Sequence, residues 1–149
     1  MTFKGIKRRF ELIVNNEEHI FIDDYAHHPE EIKVAISAAR TMYPDKKITG
    51  VFQPHLYSRT RDFVNGFAEA LDQLDELILM DIYPARELPI EGVTSQIIFE
   101  KMNNPNKVMI RKSQLLDELK GRELELLMTL GAGDIGALVP DIDKMLMEN

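Results

Sequence analysis

Two hydrophobic periods alternate along this chain. Phe10, Leu12 and Val14 alternate with polar neighbours, the turn "NNEE" follows, and apolar residues resume at Ile20. This pattern predicts a hairpin of strands over 10–15 and 19–25, with Phe10, Leu12 and Val14 on one face. Ile32, Ala35, Ile36, Ala39 and Tyr43 then recur at helical spacing. Pro29 suits a first turn, and Glu30 and Glu31 complement the helix dipole, so a helix starts near His28, its N-cap. Next come a strand in "KITGVFQ", a helix with Phe63, Phe67, Ala70, Leu71 and Leu74 on one face, and a strand in "ELILMDI". Beyond "YPARELP" the pattern gives a helix over 94–102, a strand in "KVMIR", a short helix from Ser113, a strand in "LELLMTLG" and a terminal helix interrupted or restarted at Pro140. Met42, Met80, Met102, Met128 and Met145 read as core filler.

Strand and helix in alternation define an α/β class: a Rossmann-like three-layer sandwich with a mostly parallel six-stranded sheet and an antiparallel edge hairpin. No repeat or linker divides the chain, so a single domain over 1–149 is expected. In such sheets ligands bind outside the carboxyl ends of the strands. "DDYAHHP", "PHLYSRTR", "YPARE" and "GAGDIG" each follow a strand, so four loops remote in sequence converge on one rim.

Composition narrows what that rim can do. The 149 residues suffice for one core, and 44% hydrophobic with 29% charged residues is globular composition. Cysteine is absent, which excludes disulfides and thiolate chemistry and suits the cytoplasm. No apolar run approaches the roughly 20 residues that span a bilayer, so membrane insertion is not expected. The net charge of -7 argues against nucleic acid as a partner, and the basic cluster Lys4, Lys7, Arg8 and Arg9 reads as a solvated charge run on spacing alone.

Asp23, Asp24, His27, His28 and His55 could in principle ligate a metal, but adjacent imidazoles diverge and no HExxH spacing occurs; no metal site held by this chain alone is expected. Asp24 and His27 equally suit a hydrogen-bond network at a strand end. Arg59 and Arg61 fall just before or within the first turn of the second helix, where cations oppose the dipole unless an anion offsets them. "GAGDIG" fits GxGxxG, but too few residues follow it for a dinucleotide unit; a tight turn bringing backbone amides to the cleft is the better reading. GxxxxGK[ST] and GxSxG are absent.

Taken in order, "GIKRRFE", "DDYAHHPEEI", "FQPHLYSRTRDF", "YPARELP" and "GAGDIG" resemble the carboxyl-terminal domain of the Mur ligases that join L-alanine to UDP-N-acetylmuramate in peptidoglycan synthesis. The resemblance spans essentially the whole chain. It implies an ATP-dependent amide-forming ligase working through an acyl phosphate with Mg2+, whose UDP-sugar and central ATPase domains lie outside this chain. It also implies that the first residues match a point inside the full enzyme, so that the chain is one excised domain, inactive alone. Matched by position, Arg9 and Asp24 resemble ATP-contacting residues, with Asp24 on the ribose and Arg9 near the phosphates. His27, His55 and Arg59 resemble amino-acid-binding residues, with Arg59 gripping the carboxylate. Tyr25, Leu56, Tyr57, Gly131 and Gly133 would line the cleft. Many relatives carry arginine where Leu56 stands, which throws more of the carboxylate contact onto Arg59 or His55. Two alternatives remain open: the related murein-tripeptide recycling ligases, which share "HHP", and a stand-alone binding module for an anionic metabolite.

Overall fold

The computed structural model describes residues 9–148, so Lys4, Lys7, Arg8 and most of "GIKRRFE" lie outside the described residues. The chain forms β1 (Glu11–Asn15), β2 (Ile20–Asp24), α1 (Pro29–Met42), β3 (Ile48–Phe52), α2 (Tyr57–Asp62), α3 (Val64–Leu71), β4 (Glu76–Met80), α4 (Gln96–Lys101), β5 (Lys107–Ile110), α5 (Leu115–Lys120), β6 (Leu126–Leu130) and α6 (Val139–Met147). Single 3-10 turns precede α5 and α6. The six strands follow the order β1-β2-β6-β3-β4-β5, with β1 antiparallel to β2 and every other pairing parallel. This is the expected mostly parallel sheet with an antiparallel edge.

β3 and β6 are buried at every residue, as strands covered on both faces must be. One face packs Ile22, Phe52, Leu77, Leu79 and Met128 against Ile32, Ile36, Phe67, Leu71 and Ile98. The other packs Phe21, Val51, Ile78 and Leu127 against Leu115, Leu119, Ile142 and Leu146. Each fully buried large side chain contributes about 2 kcal/mol of transfer free energy. The one buried carboxyl on this sheet, Asp23, accepts the Thr129 hydroxyl at 2.7 Å across the β2–β6 pair.

Three hydrophobic expectations fail for identifiable reasons. Phe10, Leu12 and Val14 do not share a face, because a bulge shifts the β1–β2 register between Leu12 and Val14. Phe10 packs against the first cluster, Val14 belongs to the second, and Leu12 is exposed. The single second helix is in fact two, α2 and α3, which part at Phe63, whose backbone leaves the helical region (φ -121°, ψ 25°), and α3 ends at Leu71, short of Leu74. Phe63 is therefore exposed at 46% while Phe67 is buried. Met42 ends α1 on its outer face and is exposed, unlike the other four methionines of the set.

Candidate active site

The rim formed by the carboxyl ends of β2, β3, β4 and β6 gathers the loops singled out from the sequence. At the end of β2, Asp24 binds its own turn: Oδ1 accepts the Ala26 amide at 2.8 Å and Oδ2 accepts the Phe10 amide at 3.0 Å. Its backbone carbonyl accepts the Gly131 amide at 3.2 Å, tying the β6 loop to the β2 loop. Burial holds the Asp24 carboxyl above the usual carboxylate range, although these two amides and Arg9 pull the other way. Arg9 and Asp24 line a hollow of about 230 Å³ with Glu30, Glu31, Val34 and Ala35.

His28 is the N-cap of α1, as expected, with Pro29 next. Glu31 reaches back over this turn, its Oε1 accepting the amides of His27 at 3.0 Å and His28 at 3.1 Å. Burial pushes the Glu31 carboxyl up, but these amides and the His27 charge outweigh it and hold it below its ordinary value. The His27 ring lies edge-on to Tyr25 at 5.2 Å, tilted to His28 at 5.1 Å and edge-on to His55 at 6.1 Å.

His55 follows β3 and stacks on Tyr83 from the β4 loop, 5.7 Å between centroids and 14° between planes. The Arg59 guanidinium donates to His55 Nδ1 at 3.1 Å. Leu56, between them, takes φ 74°, ψ 136°, a conformation that costs a non-glycine residue of order 1–3 kcal/mol. Three bonds hold it there: its amide donates to the Tyr83 carbonyl at 2.9 Å, and its carbonyl accepts the Thr60 amide and hydroxyl. The strain aims α2, and with it Arg59, at the histidines.

Arg59, the third of the six residues of α2, lies in the first turn as expected, but in so short a helix it also belongs to the last turn with Arg61, where cations complement the dipole. The inferred local cost is therefore offset. Arg61 pairs with Asp62 at 2.8 Å on the surface, whereas Arg59 faces the imidazoles. The glycine turn also differs from expectation in detail. The amides of Gly131 and Ile135 are spent on Asp24 O and Gln53 Oε1, so they lock loops together. Gly133 lies so close to Gln53 and Tyr83 that a Cβ would stand 2.5 Å from Gln53 Oε1. Leu56 is half-buried, Tyr25 is 39% exposed, and Tyr57 lines a neighbouring hollow of about 340 Å³ with Asp81, Ile82, Thr94 and Ser95.

Two residues escaped the sequence reading. Glu31 was assigned only to the dipole, although its spacing from His27 and His28 carries the back-reaching geometry. Glu87, in "YPARELP", accepts the Ser58 amide at 3.0 Å and also the Ser58 hydroxyl, which pins the β4 loop over the start of α2. These Ser58 bonds hold the Glu87 carboxyl below its ordinary value.

Burial, the Arg59 charge and His27 lower the proton affinity of both His28 and His55, with Glu31 and Glu87 opposing weakly. A histidine depressed in the fold contributes stability that is present above its unfolded value, about 6.5, and lost as pH falls through the folded value. The urea midpoint of this chain should therefore fall as pH drops below 6.5, and His55→Gln should flatten that part of the curve. An unchanged slope in the variant would contradict the geometry.

A three-layer α/β sandwich with an imidazole and guanidinium cluster at the carboxyl rim of its sheet places that chemistry where open parallel sheets bind ligands. Residues 8–136 match the family model for the Mur ligase, glutamate ligase domain, and the chain belongs to that family. UDP-N-acetylmuramate--L-alanine ligase from Flavobacterium johnsoniae is 55% identical over 99% of this chain and 33% of its own length. The protein of that name from Porphyromonas gingivalis is 52% identical over 97% of this chain and 32% of its own. This chain thus spans about a third of the length of these relatives. Among solved structures, UDP-N-acetylmuramate-alanine ligase from Thermotoga maritima superposes with a TM-score of 0.73 at 24% identity, over 95% of this chain and 30% of that one. A domain of a putative UDP-N-acetylmuramate:L-alanyl-gamma-D-glutamyl-meso-diaminopimelate ligase from Haemophilus ducreyi gives 0.68 at 18% identity, over 93% and 99%. At those identities the superpositions establish the fold.

Proposed function

We propose that this chain is the carboxyl-terminal domain of an ATP-dependent ligase that joins L-alanine to UDP-N-acetylmuramate in the cytoplasm, and that it seats the amino acid and completes the ATP site. The observation that carries the reading is the cluster of Arg59, His55 and His27 at the rim, within a chain about half identical to relatives of that name.

In this reading Arg59 grips the alanine carboxylate through its guanidinium fork, and His55, braced between Arg59 and Tyr83, lies beside it. Leu56 walls the seat, Tyr57 faces the hollow beside it, and Gly131 and Gly133 let the β6 loop approach Gln53 closely enough to leave the seat open. Asp24 receives the ATP ribose. Its oxygens each retain a lone pair beyond the Ala26 and Phe10 amides, enough to accept ribose hydroxyls. Glu30 and Glu31 line the same hollow and repel phosphates, so the triphosphate runs out past Arg9 towards the central domain. That domain supplies the phosphate loop and holds Mg2+. ATP phosphorylates the muramyl carboxylate and the alanine amine displaces the phosphate.

The test uses the intact protein from which this domain comes. Phosphate release with UDP-N-acetylmuramate should require L-alanine and yield the corresponding amide. Release driven instead by the L-alanyl-γ-D-glutamyl-meso-diaminopimelate tripeptide would assign the recycling ligases, and tight nucleotide binding by this chain alone would favour a stand-alone module. Glu87→Ala, by releasing Ser58 and the start of α2, should raise the alanine KM several-fold and leave the ATP KM unchanged; an effect on ATP alone would contradict the latch.

A further inference from the structure

His27 and His55 lie edge to face with ring centroids 6.1 Å apart, near enough for one small zwitterion to reach both, and their partners impose opposite tautomers on them. Nδ1 of His27 lies 3.0 Å from the carbonyl oxygen of Tyr25. A carbonyl only accepts, so Nδ1 carries the hydrogen and Nε2 keeps its lone pair. Nδ1 of His55 faces the Arg59 guanidinium at 3.1 Å. A guanidinium only donates, so here Nδ1 holds the lone pair and Nε2 carries the hydrogen. One imidazole is thus a base at Nε2 and the other a donor.

Their electrostatic settings diverge in the same sense. Glu31 Oε1 lies 3.5 Å from His27 Nδ1, fixed by the His27 and His28 amides, behind the ring nitrogen that faces away from Nε2. A carboxylate in that place orients the ring and stabilises an imidazolium, as in acid–base dyads generally. His55 instead abuts the permanent charge of Arg59, and Glu87 opposes that charge only from beyond Ser58. Besides Glu31, the titratable and charged groups around His27 are His28 and Tyr25 from its own segment and His55, with its partner Arg59, from the β3–α2 loop.

We propose that His27, through Nε2, accepts the proton that the amino acid's ammonium group must lose before it can attack, while His55 donates from Nε2 to the amino acid's carboxylate beside Arg59. The assignment rests on the ligase reading above. The ammonium gives one proton to His27, which becomes imidazolium. The freed nitrogen pair forms the C–N bond at the acyl carbon, and the C–O bond to phosphate breaks with its electron pair leaving on oxygen. The departing phosphate takes the second N–H proton, so the products are the amide, hydrogen phosphate and protonated His27. Nothing further is consumed.

Steady-state kinetics of the intact ligase test this with His27→Ala, Glu31→Gln and His55→Gln. His27→Ala should lower kcat about 100-fold, the lower end of what general acid–base catalysis supplies. The alanine KM should change little, the deficit should shrink as pH rises towards the range where free alanine is an amine, and added imidazole should restore part of the rate. In Glu31→Gln the acidic limb of the kcat profile should move to lower pH, because the imidazolium has lost its carboxylate. His55→Gln should raise the alanine KM and leave that limb in place. Acidic limbs unmoved in both Glu31→Gln and His27→Ala, with only KM affected, would reduce His27 to a binding residue and overturn the proposal while the ligase reading stands. A wild-type protein that forms no amide from alanine overturns that reading and the proposal together.

Discussion

Arg59→Ala, made in the intact ligase, should raise the alanine KM roughly 30- to 100-fold, about 2–3 kcal/mol, the scale for truncating one partner of a partly buried, charge-assisted pair. The ATP KM should stay within about twofold, because the hollow lined by Arg9 and Asp24 is formed by the segment before β1, the end of β2 and α1, with no residue of α2. Arg59→Lys should fall between the two, since it keeps the charge but loses the planar fork that both spans a carboxylate and donates to His55. Equal effects on both substrates would mean that the substitution has disturbed the whole rim, and initial-rate kinetics in both substrates distinguishes these outcomes.

Gly131→Ala should destabilise the domain by about 2–4 kcal/mol, a fall in Tm of roughly 5–15 °C for a chain of this size. Two costs add. Gly131 has φ 143°, which an L side chain rarely adopts, and a Cβ there would stand 2.8 Å from the Gln53 carbonyl oxygen, a backbone atom that cannot rotate away. Gln53 anchors the other side of the rim through Asp134 and the Ile135 amide, so its displacement carries the β3 loop and His55 with it. Gly92→Ala is the control. Gly92 also has a positive φ, 79°, but nothing lies within 4 Å of its Cβ position, so it should cost only the backbone term of about 1 kcal/mol. Thermal unfolding of the two variants side by side measures the difference, and a Gly131 variant no worse than Gly92→Ala would contradict the close packing of the β6 loop on β3.

The sheet was legible because β3, β4 and β6 are short apolar runs between turn residues, and the β2–α1 junction because Pro29, Glu30 and Glu31 announce a first turn. The break at Phe63 was not. Phe63 and Phe67 stand at ideal helical spacing, and the contact the Phe63 ring makes instead, with His28 at 5.8 Å between centroids, joins residues too far apart in sequence for a local pattern to show. The β1 bulge was hidden for a related reason, since strict alternation in sequence carries no mark of an extra residue in one strand. At the site, residue types predicted the neighbourhood well, for His27, His55 and Arg59 do meet. Partners remote in sequence could not be read: Glu87 finds Ser58 across 29 residues, and Gly131 finds Asp24 through a strand pairing that no local pattern encodes. Glu31 is the instructive case, since its three- and four-residue spacing from the histidines was visible but read only as charge on a helix end.

The claim beneath all of these expectations is that loops from four strands build one seat for an amino acid. The chain holds four histidines, and they divide for the purpose: His27, His28 and His55 gather at the rim, while His19 precedes β2 at the opposite end of the sheet and binds the Leu124 carbonyl. Imidazole NMR resonances of the nucleotide-loaded intact ligase, assigned by single His→Gln substitutions, should shift at His27 and His55 together on addition of L-alanine, with one common titration midpoint and no change at His19. Alanine that binds without moving either resonance, or that moves only one of them, would contradict a shared seat.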